Sequence, residues 1–278
     1  MALALDSNNL KTRRIAWKII KKASFKKKRI SDITAFFFTS KQTILNEQER
    51  RFITMIVQGT VRMSGRLDWE IEQLFHGEYT SLKENFRILL RIGAYQIKYM
   101  DSVPDYAAVA CTVELAKEIN IKLSGLTNAI LRKLIKNVDP AAPSHDSSIA
   151  TWASYWSHPE WLIKKWIEDK GFTTTQSLVE WNNKAPSIWF RVNEINYSIR
   201  KFKNFLNKNE ITYVQFKYMK IFFKIDKAQD ILSSKLFKDG HISVQDPAAG
   251  LIVQLLDPKP EETILDACAA CGGKTSYI

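Results

Sequence analysis

Apolar residues recur every three to four positions through the first half of the chain, the spacing of helices with one buried face. Residues 9–28 predict a first helix, with Leu10, Ala16 or Trp17, Ile20, and Ala23 or Phe25 on its apolar side. Asn46, followed by Glu49, predicts a capping box opening a helix through Phe52, Ile53, Ile56, Val57 and Val61. Leu67, Ile71, Leu74 and Phe75 continue the rhythm, and residues 82–100 repeat it with Leu82, Phe86, Leu89, Leu90, Gly93, Ile97 and Met100. Pro104 starts a helix through Val109, Val113 and Ala116, and Ser124 caps a last one through Leu126, Ile130, Leu134 and Val138. No strand-like alternation interrupts this run. Residues 1–138 therefore predict an all-α domain with an antiparallel bundle core.

The texture changes after VDPAAPSHDSSIA, where Pro, Ser, Ala and Asp concentrate; residues 139–150 are the expected linker. Residues 151–245 predict a small α+β domain. Helices at 159–170 and 174–182 precede strands at Ser187–Asn193, Ile211–Phe216 and Tyr218–Ile225, with a helix over 197–208 between the first two strands. Six of the eight tryptophans lie between Trp152 and Trp189. They read as core anchors of a small domain rather than as a platform for stacked bases. From residue 246 a third pattern begins: a helix opened by Asp246 and Pro247, then Thr263–Asp266 as a short apolar strand running into CAACGGKT. Residues 246–278 predict the start of a Rossmann-like α/β domain, so the fold class is multidomain.

Charge narrows the function. The chain has 41 Lys and Arg against 29 Asp and Glu, a net of +12. The first 32 residues carry ten basic and two acidic groups. Lys11, Arg13, Arg14, Lys18, Lys21, Lys22, Lys26, Lys27, Lys28 and Arg29 crowd onto the first helix with no acid between Asp6 and Asp32. A helix without acidic neighbours at i,i+4 is more than a solvated face, and RNA is the expected polyanionic partner. No apolar run is long enough to cross a membrane, and three cysteines cannot make a disulfide framework. A cytoplasmic, monomeric, metal-free protein is the expectation.

A strand, an acidic residue and a small-residue loop opening a helix form the first βα turn of a doubly wound domain, where glycines let backbone N–H groups approach a ligand. A phosphate loop would need glycine where Cys268 stands. A metal or redox site would rest on Cys268 and Cys271 alone, because His76, His145, His158 and His241 are scattered. The third reading is a loop for S-adenosylmethionine.

DACAACGGKT resembles the D-x-C-A-A-P-G-G-K-T loop of the RNA cytosine-5 methyltransferases, and VQDPAAGLIVQLLDPKPEETILDACAACGGKT resembles the whole approach to it. LLRIGAYQIKYMDSVPDYAAVACTVELAK and GLTNAILRKL resemble the NusB-like N-terminal domain of the Sun/RsmB subgroup, which methylates a cytosine in 16S rRNA. HPEWLIKKWIEDKG and NNKAPSIWFRVN resemble its intermediate domain. The resemblance runs from about residue 10 to the last residue. It implies that Cys268, Ala269, Ala270, Cys271, Gly272, Gly273 and Lys274 hold S-adenosylmethionine. Cys271 departs from the family's proline and Glu261 from its usual glycine. Family chemistry also implies a cysteine thiolate that attacks carbon 6 of a flipped-out cytosine, placed after a proline in a later loop. The three cysteines here are Cys111, on an apolar helical stretch, and Cys268 and Cys271, in the cofactor loop. No catalytic residue is therefore assigned, and the chain is expected to be the inactive N-terminal part of such an enzyme. The other reading is a non-catalytic NusB-like RNA-binding protein of the antitermination type.

Overall fold

A computed structural model describes residues 7–40, 44–226 and 228–278. The chain divides into two compact units, Met1–Lys184 and Ala185–Ile278.

The first unit is helical. Its elements are α1 (Ser7–Lys26), α2 (Ile30–Thr39), α3 (Glu47–Arg62), α4 (Ser64–Leu74), α5 (Glu84–Tyr99), α6 (Asp105–Ile119), α7 (Leu123–Lys136), α8 (Ile149–Trp156) and α9 (Glu160–Asn183). The Asn46 capping box forms as its spacing predicts: Glu49 N–H donates to Asn46 Oδ1 and Asn46 N–H donates to Glu49 Oε2. Pro104 precedes α6 as its N-cap. Ser124, in contrast, does not cap α7; the helix already includes it, and its hydroxyl donates back to Ile121 O. Helix α1 ends earlier than residue 28 because Lys27 takes a left-handed φ of 48°, with Lys28 N–H reaching back to Ala23 O. That turn frees residues 30–39 to form α2, a division that helical periodicity alone does not mark.

Helix α1 is a core helix more than a surface one. Ile15, Ala16, Trp17, Ile19, Ile20 and Ala23 are buried in one cluster with Ile53, Ile56 and Val57 of α3 and Ile88, Leu89 and Ile92 of α5. Arg13 goes in with them at 3% exposure, which removes it from the expected RNA-contacting set. Its Nε donates to Gln96 Oε1 at 2.6 Å and its Nη1 to Asn9 O at 3.0 Å, and its guanidinium lies 4.9 Å from the Phe52 ring centroid. Burial lowers the Arg13 pKa, and the same burial raises that of its neighbour Cys111. Cys111 is thus the buried structural thiol that its apolar helix implied.

The first unit continues beyond the expected linker 139–150, because α8 is bolted onto α4. Ser157 Oγ accepts from Gly65 N–H and donates to Arg62 O. Arg66 pairs with buried Glu70, sits 3.8 Å from the Tyr155 ring centroid and donates to Tyr155 O. The linker residues are themselves held: Asp139 pairs with Lys98, and Ser144 O accepts from Trp152 Nε1. The two helices expected at 159–170 and 174–182 form as the two arms of α9, separated at Gly171, whose φ of 77° and ψ of 169° are not helical. Trp152 is fully buried as a core anchor should be, whereas Trp161 and Trp181 are exposed.

The second unit is built on a four-stranded antiparallel sheet of order β2-β3-β1-β4, from β1 (Trp189–Val192), β2 (Tyr213–Gln215), β3 (Phe222–Ile225) and β4 (Ile242–Val244). The three expected strands form within their predicted spans, and β4 is an addition. Helix α10 (Ile199–Lys208) lies between β1 and β2, and α11 (Ala228–Leu232), α12 (Lys235–Lys238) and α13 (Pro247–Leu256) follow β3 and β4. Strand alternation sends Phe190, Val192, Phe223 and Ile225 into one core with Phe202 and Leu206 of α10. Thr263–Asp266 does not form the expected strand. Among the described residues no strand pairs with it, and an extended segment without a ladder partner is not a strand.

Gln96 is the hydrogen-bonding outlet for a charge in a dry core. Gln96→Leu leaves the Arg13 guanidinium without that acceptor and is expected to cost about 2–3 kcal/mol in urea unfolding. Replacing both partners, Arg13→Met with Gln96→Leu, should recover most of the loss. A Gln96→Leu protein within roughly 0.5 kcal/mol of the parent, the scale of neutral surface changes, would show that the pair is not a core constraint.

Candidate nucleic-acid interface and cofactor loop

The basic residues of α1 sort by the face they occupy. Alongside buried Arg13, Lys11 pairs with Glu49 at 3.2 Å and donates to Ile44 O, and Arg14 makes a bidentate pair with Glu118. These three hold α1 to α3, α5 and α6 and do not form an open cationic surface. The sequence does not mark this because their partners Glu49, Gln96 and Glu118 lie tens of residues away. Lys18, Lys26, Lys27, Lys28 and Arg29 are exposed and Lys21 and Lys22 half-buried; among the described residues none of the seven has a carboxylate within salt-bridge distance. Lys21 and Lys22 lie over aromatic rings instead, Lys21 Nζ at 5.1 Å from Trp17 and Lys22 Nζ at 4.1 Å from Phe36. The cationic end of α1 is also its C-terminus, where the helix dipole favours positive charge. Sequence alone thus marks ten cations; the fold leaves seven of them for a polyanion.

In the second unit, the loop Cys268–Lys274 is fixed from two sides. Asp266 closes its base, with Oδ1 accepting from Cys268 N–H at 3.1 Å and Oδ2 from the Thr275 hydroxyl at 2.7 Å. The sheet holds its far end. Arg191 on β1 points away from the α10 core, only 5% exposed, and donates to Gln245 Oε1 at 2.6 Å and to Ser276 O and Oγ. Gln245 passes the link on, donating to Gly273 O at 3.0 Å. Tyr277 stacks beneath the Arg191 guanidinium at 4.6 Å and meets Phe222 edge-on. Burial lowers the Arg191 pKa, although Tyr277 works in the opposite direction. Arg191, Gln245 and Tyr277 carry no signal in the motif; the loop's anchoring residues come from β1 and from the positions flanking the loop and β4.

Inside the loop, Cys271 and Gly272 both have positive φ, 67° and 71°, and Gly272 N–H donates to Ala269 O at 2.6 Å. Residues 273–277 form turns, with Ile278 N–H reaching Lys274 O, rather than the helix expected to follow the loop. Space is open beside Gly272 and Gly273: a Cβ built at either meets no atom within 4 Å. Ala269, Ala270, Cys268 and Cys271 are exposed and Lys274 half-buried, so the loop presents backbone and small side chains to its surroundings. Helix α13, ahead of it, sets Gly250 against Phe222 and buries Val253, while Ile252, Leu255 and Leu256 remain exposed. Among the described residues no group of acidic, His and Cys side chains is arranged to hold a metal.

Three family models match the chain in order: the NusB family over residues 10–136, the RsmF/B-like ferredoxin-like domain over 158–232, and the 16S rRNA methyltransferase RsmB/F family over 253–278. Over the length it spans, this chain is similar to the ribosomal RNA small subunit methyltransferase B proteins. The probable methyltransferase B of Synechocystis sp. is 33% identical over 236 residues, 84% of this chain and 53% of that protein. That of Bacillus subtilis is 30% identical over 239 residues, 86% and 53%. The methyltransferase B of Pectobacterium carotovorum is 32% identical over 240 residues, 85% and 54%. The chain therefore spans about half the length of these curated relatives. The crystal structure of PH0851 shares the fold, with a TM-score of 0.65 at 21% identity over 96% of this chain and 60% of that one. Among the described residues no helix is long and apolar enough to cross a membrane.

Proline cannot reach the φ of 67° at Cys271. Cys271→Pro is expected to open the loop, raising hydrogen exchange across residues 266–276 while leaving the four strands protected. Unchanged protection in that peptide would show that the left-handed residue does not hold the loop's shape.

Proposed function

We propose that this chain is the RNA-recognition and cofactor-loop portion of an S-adenosylmethionine-dependent methyltransferase that modifies a cytosine of 16S rRNA at carbon 5. Residues 1–138 form its RNA-binding domain and 151–245 its intermediate domain, with 246–278 opening the methyltransferase domain. The observation that carries the RNA half is the seven cations at the end of α1, Lys18 to Arg29, that the fold leaves without acidic partners. The order of the three matched families supports the enzymatic half, because a NusB-like protein of the antitermination type would not continue into the RsmB/F region.

In this reading Cys268, Ala269, Ala270, Cys271, Gly272, Gly273 and Lys274 meet the amino-acid end of the cofactor through backbone N–H groups, in the open space beside Gly272 and Gly273. Bound S-adenosylmethionine supplies the methyl group. Asp266 keeps the loop closed, and Arg191 and Gln245 keep its far end on the sheet. Attack on carbon 6 of cytosine requires an accessible thiolate. Burial holds Cys111 in its thiol form, and Cys268 and Cys271 belong to the loop itself. None of the three cysteines is therefore assigned the attack, and RNA binding is the function proposed for these residues.

Replacing Lys21, Lys22, Lys26, Lys27 and Lys28 by Gln should weaken binding to a 16S rRNA fragment and flatten its salt dependence, by about 0.7–0.9 in the log–log slope for each phosphate that is no longer neutralised. Equal affinity and slope in a filter-binding titration would make the lysine tract a solvated surface. With the parent chain, tritiated methyl transfer to unmodified 16S rRNA should be absent, because none of its three cysteines is an accessible thiolate outside the loop. Transfer by this chain would show that one of its three cysteines performs the attack.

A further inference from the structure

The lysine tract does not stand alone. Helix α2 lies against α1, and its run Phe36, Phe37, Phe38 splits by exposure: Phe37 and Phe38 pack onto the helical core, while Phe36 is 58% exposed. On α1, Phe25 is 63% exposed. Lys22 lies one turn before Phe25 on the same face of α1, and its Nζ is 4.1 Å from the Phe36 centroid and 5.5 Å from that of Phe37 on α2. The Phe36 and Phe37 rings meet edge to face at 6.0 Å, which fixes the orientation of the exposed one. An exposed phenylalanine forgoes the burial that its neighbours in α2 obtain, and two of them are set among cations without acidic partners.

We infer that Phe25 and Phe36 form a stacking platform for unpaired bases, and that this end of the first unit selects single-stranded over double-stranded RNA. Any base offers a π-face, so such a platform is tolerant of sequence, but a paired and stacked base cannot reach it. Lys22, Lys26 and the Lys27–Arg29 turn neutralise the phosphates of the strand whose bases lie on the rings. The lysines attract either form of RNA; the rings discriminate. Charge complementarity favours this occupant over a protein partner, which would have to supply an acidic surface as well as an apolar one.

The inference rests on the RNA-binding reading above, and its test separates the two. Fluorescence anisotropy would compare an unstructured single-stranded 16S-derived oligonucleotide with a hairpin of the same composition, across three salt concentrations. Phe25→Ala with Phe36→Ala should lower single-strand affinity at least tenfold, given stacking of about 1–3 kcal/mol per base, with hairpin affinity within twofold and the salt slope unchanged. Phe36→Trp should retain single-strand binding. Hairpin binding by the alanine variant also serves as the folding control. Equal losses on both RNAs, or no loss on either, would overturn the platform; an apolar face left idle in RNA binding would then belong to a protein contact. If the Lys→Gln variant binds as the parent does, the RNA reading itself fails, whatever the phenylalanine variants do.

Discussion

Everything in the first unit depends on α1 serving two environments at once. Its buried face lies inside the bundle, where Ile15, Ala16, Ile19 and Ile20 supply apolar surface and Arg13 is admitted only because Gln96 and Asn9 accept its N–H groups. A buried guanidinium without such acceptors would be a large penalty, and Gln96 is itself held by donating to Ile92 O. Because the buried half of the helix is fixed in this way, its last two turns are presented rigidly, and with them Lys18 to Lys26. The same side chain chemistry, Lys or Arg, is therefore structural at one end of the helix and available at the other.

A parallel arrangement governs the glycine loop. Its own residues are small and exposed and could not fix a single conformation. Its shape comes from Asp266, which closes the loop on itself, and from the buried Arg191–Gln245 pair on the sheet. Arg191 and Gln245 are each only 5% exposed, and the charge-assisted bond from Arg191 to Ser276 O together with the amide bond from Gln245 to Gly273 O holds a loop that contributes little packing of its own. Cys271 occupies a left-handed φ of 67°, a backbone that proline, with its φ fixed at about −65°, could not adopt at that point.

These two sites differ in how far the sequence exposes them. The loop is written in contiguous residues, and the capping box at Asn46 and the strands around Phe190 and Phe223 are equally legible, since each depends on neighbours within a few positions. The cationic face is legible only in outline. Lys11, Arg13 and Arg14 look the same in sequence as Lys21 and Lys22, and what separates them is Glu49, Gln96 and Glu118, brought in by other helices. Helix α2 is hidden because Lys27 ends α1 in a left-handed turn without a glycine to announce it.

The sequence by itself determined the helical character of the first 138 residues, the small mixed module after it, the strong positive charge of the N-terminus and the kinship of the final loop. Periodicity, local capping and a contiguous motif are properties of short segments, so they survive without tertiary information. The tertiary structure alone decided which cations face solvent, that α8 belongs with α4 through Ser157 and Arg66, and that Thr263–Asp266 has no ladder partner among the described residues. It also decided that Arg191 and Gln245 hold the loop Cys268–Lys274. Burial, ion pairing and strand formation each require a second segment distant in sequence, and the position of that segment is set only when the chain folds.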